Sequence, residues 1–240
     1  MDRSSEPSEE EQFEAYSTVA KAMCGKEVII RTLDIGGDKD IPYLSIEKEE
    51  NPFLGHRAIR YCLDNPVLFK RQLRAILRAA VYGNIKIMLP LITELNEVLR
   101  SKEIIKECEN ELTAEKIPFK SVPVGIMIET PAAAIISDIL SREADFFSIG
   151  TNDLTGYVMA ADRGNPNVAH LYSIMQEPVL RAIETTIKNA KAANIPVGMC
   201  GEGAADPKLI PLLLEWGLDE FSVTPSSIPA ARKEISMHNA

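Results

Sequence analysis

The chain has 240 residues, 45% of them apolar, which is enough for one sizeable core and within the range of a single α/β domain. A formal charge of -9 and a pI near 5.0 argue against a nucleic-acid binder, because phosphate backbones attract Lys and Arg surfaces. An anionic ligand has to be met here by a few focused cations or by a metal ion.

The opening MDRSSEPSEEEQF has no apolar core region, so it does not read as a signal peptide, and no run of 18 apolar residues predicts a membrane span. Helical spacing of Phe13, Tyr16, Val19, Ala20 and Met23 predicts a first helix from about Glu9 to Met23 with those residues facing a core. Ser8 followed by Glu11 predicts a capping box at its start. Six short runs rich in Val, Ile, Phe or Met then read as strands: Glu27–Leu33, Ile85–Leu89, Val122–Ile128, Phe146–Ile149, Pro196–Met199 and Glu220–Val223. Their apolar character suits strands buried on both faces.

Helices are expected near 64–82, 93–112, 131–142, 177–193 and 206–216, with Pro66, Pro131 and Pro207 in first turns. Lys70, Arg71, Arg74 and Arg78 read as a solvated stripe opposite Leu73, Ile76 and Leu77, and Trp216 with the nearby leucines reads as core. Strands alternating with helices predict a parallel α/β fold. No linker or repeat divides the chain, so one domain over 1–240 is expected. A (β/α) barrel needs eight strands, and a chain with six that starts on a helix suits either an open sheet or a barrel cut before its third strand.

In parallel α/β folds functional groups gather at the C-terminal ends of strands. Arg31 stands there, ahead of Asp34 and the Gly36-Gly37 turn, and reads either as an anion fork or as the partner of Asp34. Arg57 follows in the loop Asn51–Arg57, where it is a second clamp or a surface Arg; neighbouring His56 reads as structural or exposed rather than catalytic. Glu129 ends a buried run, with Thr130 placed to cap the helix that Pro131 begins. Asn152 and Asp153 follow the next strand, as N-caps or as ligands. Two carboxylates at the ends of strands about 4.8 Å apart suit joint coordination of one hard cation, magnesium with a substrate phosphate completing its shell. Arg163 before Gly164 is a third cation or a loop ion pair.

Cys200 ends a further strand between small residues. A thiol, with a reference pKa of roughly 8.5, exchanges protons near neutrality if its surroundings shift it modestly; the alternative is an inert thiol. Cys24, Cys62 and Cys108 read as inert. No two cysteines form C-x-x-C and no His lies at ligand spacing, which argues against zinc and disulfides and for a reducing, cytoplasmic setting. No G-x-x-x-x-G-K-[ST] loop or G-x-S-x-G elbow is present.

As a set, RTLDIGGDK (31–39), ENPFLGHRAIR (50–60), GIMIETPAAA (125–134), FFSIGTNDLT (146–155), DRGN (162–165) and GMCGE (198–202) resemble the PEP-utilising enzymes, and Enzyme I of the bacterial sugar phosphotransferase system more than pyruvate phosphate dikinase or PEP synthase. The resemblance covers nearly the whole chain, in order. It implies a TIM-type (β/α) barrel, truncated at the N-terminus so that two strands and one phosphate-binding Arg lie upstream. It implies that Arg31, Arg57 and Arg163 hold phosphoenolpyruvate, that Asn152 and Asp153 also contact it, that Glu129 and Asp153 ligate Mg2+, and that Cys200 exchanges the proton at C3 of the enol. It also implies transfer of the phosphoryl group to a histidine in a separate N-terminal domain, onward transfer to a phosphocarrier protein in sugar uptake, and a homodimer.

His56, His170 and His238 match no phosphorylatable His of that family. The chain departs from the family pattern at Gly156, where Gln is usual, at Ser173–Pro178, and at Gly203-Ala204-Ala205, which replaces M-A-G. Competing expectations are a magnesium-dependent pyruvate-type lyase barrel, which gives Cys200 and the Arg31 segment no task, and a non-catalytic dimerisation module.

Overall fold

The computed structural model describes residues 5–36 and 48–238, and the chain divides into two compact units: Met1–Pro90 with Asn96–Val124, and Leu91–Leu95 with Gly125–Ala240. The sequence features at Met1–Arg3 and Gly37–Lys39 lie outside the described residues.

In the first unit, helix α1 (Glu9–Ala22) starts at Ser8, whose hydroxyl accepts from the Glu11 N–H while the Glu11 carboxylate accepts from the Ser8 N–H. The capping box is therefore present. Strand β1 (Glu27–Arg31) follows, then α2 (Ile59–Asp64), α3 (Pro66–Ala79), β2 (Asn84–Leu89) and α4 (Leu95–Ala114). β1 and β2 pair in parallel, Glu27 opposite Asn84 and Arg31 opposite Met88. Phe69, Leu73, Ile76 and Leu77 recur at i, i+4, i+7 and i+8 on α3 and are fully buried, the apolar stripe an amphipathic helix needs.

Three expectations change here. The face of α1 is only partly covered: Ala20 is buried, but Val19 is 48% and Met23 37% exposed. The basic stripe of α3 is not solvated. Arg74 and Arg78 have side chains only 12% and 15% exposed, because α1 and α4 bring carboxylates over them. Arg74 pairs with Glu9 (2.7 Å), Glu111 (3.3 Å) and Glu115 (2.6 Å), Arg78 with Glu9 (2.6 Å) and Glu10 (2.7 Å), and Lys70 with Glu107 and Glu111. Arg71 pairs with Glu6. Nor are β1 and β2 buried on both faces: β2 alternates, with Ile85, Ile87 and Leu89 inside, and β1 is mostly half-buried.

The second unit carries β3 (Val124–Ile128), α5 (Pro131–Ile135), α6 (Ser137–Leu140), β4 (Phe147–Gly150), α7 (Thr151–Met159), α8 (Glu177–Ala192), β5 (Val197–Cys200), α9 (Ile210–Trp216), β6 (Glu220–Phe221) and α10 (Ile228–His238). β3 to β6 pair in chain order, all parallel. Here the apolar runs of β3 and β4 are buried throughout, and β5 is buried except at Cys200.

The helix expected over 131–142 breaks at Ile136 into α5 and α6. Pro211, not Pro207, occupies the first turn of α9. Trp216 is half-buried, whereas Leu213 and Leu218 are core. Helices α2 and α10 lie outside the expected ranges, and α7 begins where the N-cap reading of Asn152 or Asp153 would place a helix, though at Gly150. The fold is a parallel-strand α/β fold.

Candidate functional site

In the first unit the two candidate arginines converge on one carboxylate. Arg31 is the last residue of β1, and Thr32 continues the ladder by donating its N–H to Met88 O. Three residues past Arg31, Asp34 accepts from Arg31 Nη1 through Oδ2 and from Arg57 Nη2 through Oδ1, both at 3.0 Å. Arg57 reaches it from the segment before α2, where the Ala58 N–H bonds Ile35 O and Ala58 takes a left-handed φ of +52°. The Arg57 and Asp34 side chains are each 10% exposed, and the Arg57 guanidinium lies 5.6 Å from the Phe53 ring. Glu49 steadies this segment by accepting the His56 N–H, while His56 Nε2 lies 2.9 Å from Asp64 Oδ2. The His56 backbone is thus held by Glu49, and the His56 side chain is partly exposed. Arg31 remains half open to solvent.

In the second unit Glu129 directly follows β3 and is buried. A buried carboxylate is costly unless it is bonded. Its Oε1 accepts the Leu91 N–H at 2.6 Å, and Leu91 adopts a left-handed φ of +54° to make that bond. Beside it Thr130 caps α5, accepting the Ala133 N–H and donating to Ile92 O. The other oxygen, Oε2, lies against Gly150, where a Cβ would come within 2.8 Å of it. Only glycine at 150 leaves the carboxylate this room.

Because β4 runs straight into α7 at Gly150, Asp153 sits in the first turn of a helix and not at a strand end. Neither Asn152 nor Asp153 is an N-cap; Gly150 holds that position without a side-chain bond. The donors are oxygens, as a hard cation requires. Among the described residues no three His, Cys, Asp or Glu side chains cluster as a metal site. Magnesium is commonly held by one or two carboxylates, with substrate oxygens and water filling the rest, and the carboxylates of Glu129 and Asp153 are donors of that kind.

The Cys200 turn is fixed to the same helix. The Thr151 hydroxyl donates to Cys200 O at 3.0 Å and accepts the Gly203 N–H at 3.3 Å. Asn152 Oδ1 accepts the Glu202 N–H at 3.3 Å. Gly201 has φ +89°, and a Cβ there would meet Thr151 Oγ1 at 2.4 Å. Cys200 is half-buried and lines a cavity of about 580 Å³ with Asn152, Glu202, Ser222, Thr224 and Ser227. Arg163 stands on an exposed segment and pairs with Glu202 at 3.2 Å.

The departures at Gly203 and at 173–178 meet in space. A Cβ at 203 would fall 2.1 Å from Ile174 Cδ1, so Ile174 occupies the space that a larger residue at 203 would need.

Sequence reasoning missed Leu91, Thr151, Tyr172 and Glu202. Tyr172 donates to Asn152 O at 2.7 Å. Burial pushes its hydroxyl above the usual phenol value; Arg163 pulls against this, and Glu202 and Asp153 add to it.

The whole chain, residues 1–240, matches the family model described as PEP-utilising enzyme, PEP-binding domain. Among curated relatives, the phosphoenolpyruvate-protein phosphotransferase of Bacillus sp. (strain S) is 52% identical over 98% of this chain and 41% of its own length. That of Bacillus subtilis (strain 168) is 51% identical over 98% of this chain and 42% of its own. The chain therefore spans less than half the length of these relatives. Among solved structures, a citrate lyase from Burkholderia xenovorans LB400 aligns with a TM-score of 0.54 at 16% identity, covering 96% of this chain and 75% of that one, a likeness of fold alone. On the family match and this level of identity, the chain belongs to the PEP-utilising enzymes, as a PEP-binding domain.

Proposed function

We propose that the chain is the phosphoenolpyruvate-binding part of a phosphoenolpyruvate-protein phosphotransferase. The observation that carries this reading is the identity of about half the residues to two such proteins across 98% of the chain. The reaction passes the phosphoryl group of phosphoenolpyruvate to a histidine elsewhere in the protein, and from there to a phosphocarrier protein. The same reading makes the parallel strands part of a TIM-type (β/α) barrel in a cytoplasmic homodimer. Among the described residues no helix is long and apolar enough to cross a membrane.

In the first unit Arg31 and Arg57 bind anionic oxygens of the substrate, and Asp34 holds their guanidinium planes ready beforehand. In the second unit Arg163 is a further cation, Asn152 and Asp153 contact substrate, and Glu129 and Asp153 would hold Mg2+. That ion, when bound, neutralises charge on the phosphoryl oxygens. As the enol oxygen–phosphorus bond breaks, the enolate takes a proton at C3 from the Cys200 thiol, giving pyruvate. Solvent then reprotonates the thiolate.

Calorimetry of the 240-residue chain with phosphoenolpyruvate and Mg2+ tests the binding half. Binding lost in Arg57→Ala and Glu129→Gln is expected; no binding by the unaltered chain overturns the reading. Deuterium exchange at C3 of pyruvate tests the proton step, and exchange that survives in Cys200→Ser removes Cys200 from it.

A further inference from the structure

The segment from Asp162 to Leu171 carries Arg163 and is exposed along almost all its length. Much of its bonding is internal: Gly164 N–H to Asp162 Oδ1 and Asn167 N–H to Asn165 Oδ1. Such a segment does not hold a guanidinium in one place unaided, since a long exposed side chain on a solvated loop gives up conformational entropy to do so. At its end Tyr172 turns inward. Its hydroxyl donates to the backbone carbonyl of Asn152 at 2.7 Å, and a Cβ on Gly156 would lie only 3.7 Å from its ring.

We propose, on the functional reading above, that Tyr172 is a positioning residue that sets Arg163 beside the first turn of α7. The contacts form a closed circuit. The Tyr172 hydroxyl holds Asn152 O, Asn152 Oδ1 holds the Glu202 N–H, the Glu202 carboxylate holds Arg163, and the chain from Arg163 leads back to Tyr172. The circuit borders a cavity of about 170 Å³ lined by Thr151, Asn152, Tyr172, Ile174 and Glu202 among others. Cutting it at the hydroxyl leaves the ring packed but frees the segment, so Arg163 is no longer delivered to the turn that bears Asn152 and Asp153. Glu202 keeps the guanidinium paired until a substrate anion replaces it. The phenol, raised by burial, remains a donor through the neutral range.

The test is a cycle of Tyr172→Phe, Arg163→Ala and the double variant in the 240-residue chain, titrated with phosphoenolpyruvate in excess Mg2+. Tyr172→Phe is expected to weaken binding about fivefold, the size of one hydrogen bond, and to lower the melting temperature by no more than about 2–4 °C. The double variant is expected to bind no more weakly than Arg163→Ala alone, because Tyr172 acts through Arg163. A further fivefold loss in the double variant overturns the proposal.

Hydrogen exchange without ligand is the second arm. Amides of 162–171 should exchange faster in Tyr172→Phe, and unchanged protection also overturns the proposal. If the unaltered chain binds no phosphoenolpyruvate, the functional reading fails, and the exchange arm alone decides whether Tyr172 ties down the segment.

Discussion

Leu91 donates its backbone N–H to Oε1 of Glu129 at 2.6 Å, from a left-handed backbone and inside the protein. That single bond separates two jobs of one carboxylate. Glu129→Gln keeps an acceptor for Leu91 and removes the charge. Glu129→Ala leaves a buried N–H unsatisfied, at a cost of about 1–3 kcal/mol. Chemical denaturation should therefore find the Ala variant less stable than the Gln variant by about that amount, while both lose Mg2+-dependent phosphoenolpyruvate binding. Equal stability of the two would show that the Leu91 bond contributes nothing.

Asp34 is predicted to help anion binding despite its negative charge. Asp34→Ala removes a shared acceptor from Arg31 and from the nearly buried Arg57. A lost charge-assisted bond to a buried cation costs about 2 kcal/mol, readable by denaturation. Phosphoenolpyruvate affinity should fall as well, because the guanidinium planes lose their alignment. A rise in affinity would mean that Asp34 merely competes with the substrate.

Acid should loosen the first unit through its ion pairs. The Lys70 bond holds the Glu111 carboxyl below the usual range, outweighing burial, which acts the other way. Burial opposes ionisation of Glu109, but bonds from Lys106 and Ser121 outweigh it and lower its pKa too. A carboxyl depressed on folding contributes stability above its unfolded pKa of roughly 4.3 and loses it as pH falls through the folded value. Melting temperature should drop below about pH 4, and Arg74→Ala should cost about 1–2 kcal/mol at low salt, less at 1 M salt. A cost independent of salt would assign Arg74 a packing role instead.

The cysteines offer a chemical test of burial. Cys62 and Cys108 are each pushed up to about 12, mainly by burial, with Asp34 adding to the first and Glu111 to the second. Iodoacetamide at pH 8 should label exposed Cys24 and half-buried Cys200 and spare the other two until the chain unfolds. Mass spectrometry of the labelled peptides reads this directly, and fast labelling of Cys62 would mean that the Arg57 segment opens.

Gly156 lies within α7, and a Cβ there would meet only ordinary contacts, 3.5 Å to Ala161 O and 3.7 Å to Tyr172. Gly156→Ala should stabilise the protein by about 0.5–1 kcal/mol, the helix-propensity difference. A lower melting temperature would show that the space beside Tyr172 is needed.

Local pattern carried much of this fold. The Ser8–Glu11 box, the six strands and the cap at Thr130 were legible because their signals lie within a few residues. The basic stripe of α3 was misread because a helical pattern shows which residues share a face but not what faces them; its partners Glu9 and Glu115 lie far away along the chain. The start of α7 was misplaced, since Asn152 and Asp153 looked like caps while the helix is capped by Gly150 with no side-chain bond and follows the strand directly. Of the candidate site, the polar residues at strand ends could be found by position. Bonds such as Leu91 to Glu129 and Tyr172 to Asn152 could not, since backbone groups leave no mark in a sequence.

Thr151 has a consequence for motion. Its hydroxyl donates to Cys200 O and accepts the Gly203 N–H, so two bonds through one side chain join the Cys200 turn to the first turn of α7. The backbone that carries the thiol is thereby held to the backbone that carries Asp153. A motion that admits or releases a small molecule in the second unit is therefore expected to leave this joined piece intact and to be hinged outside it.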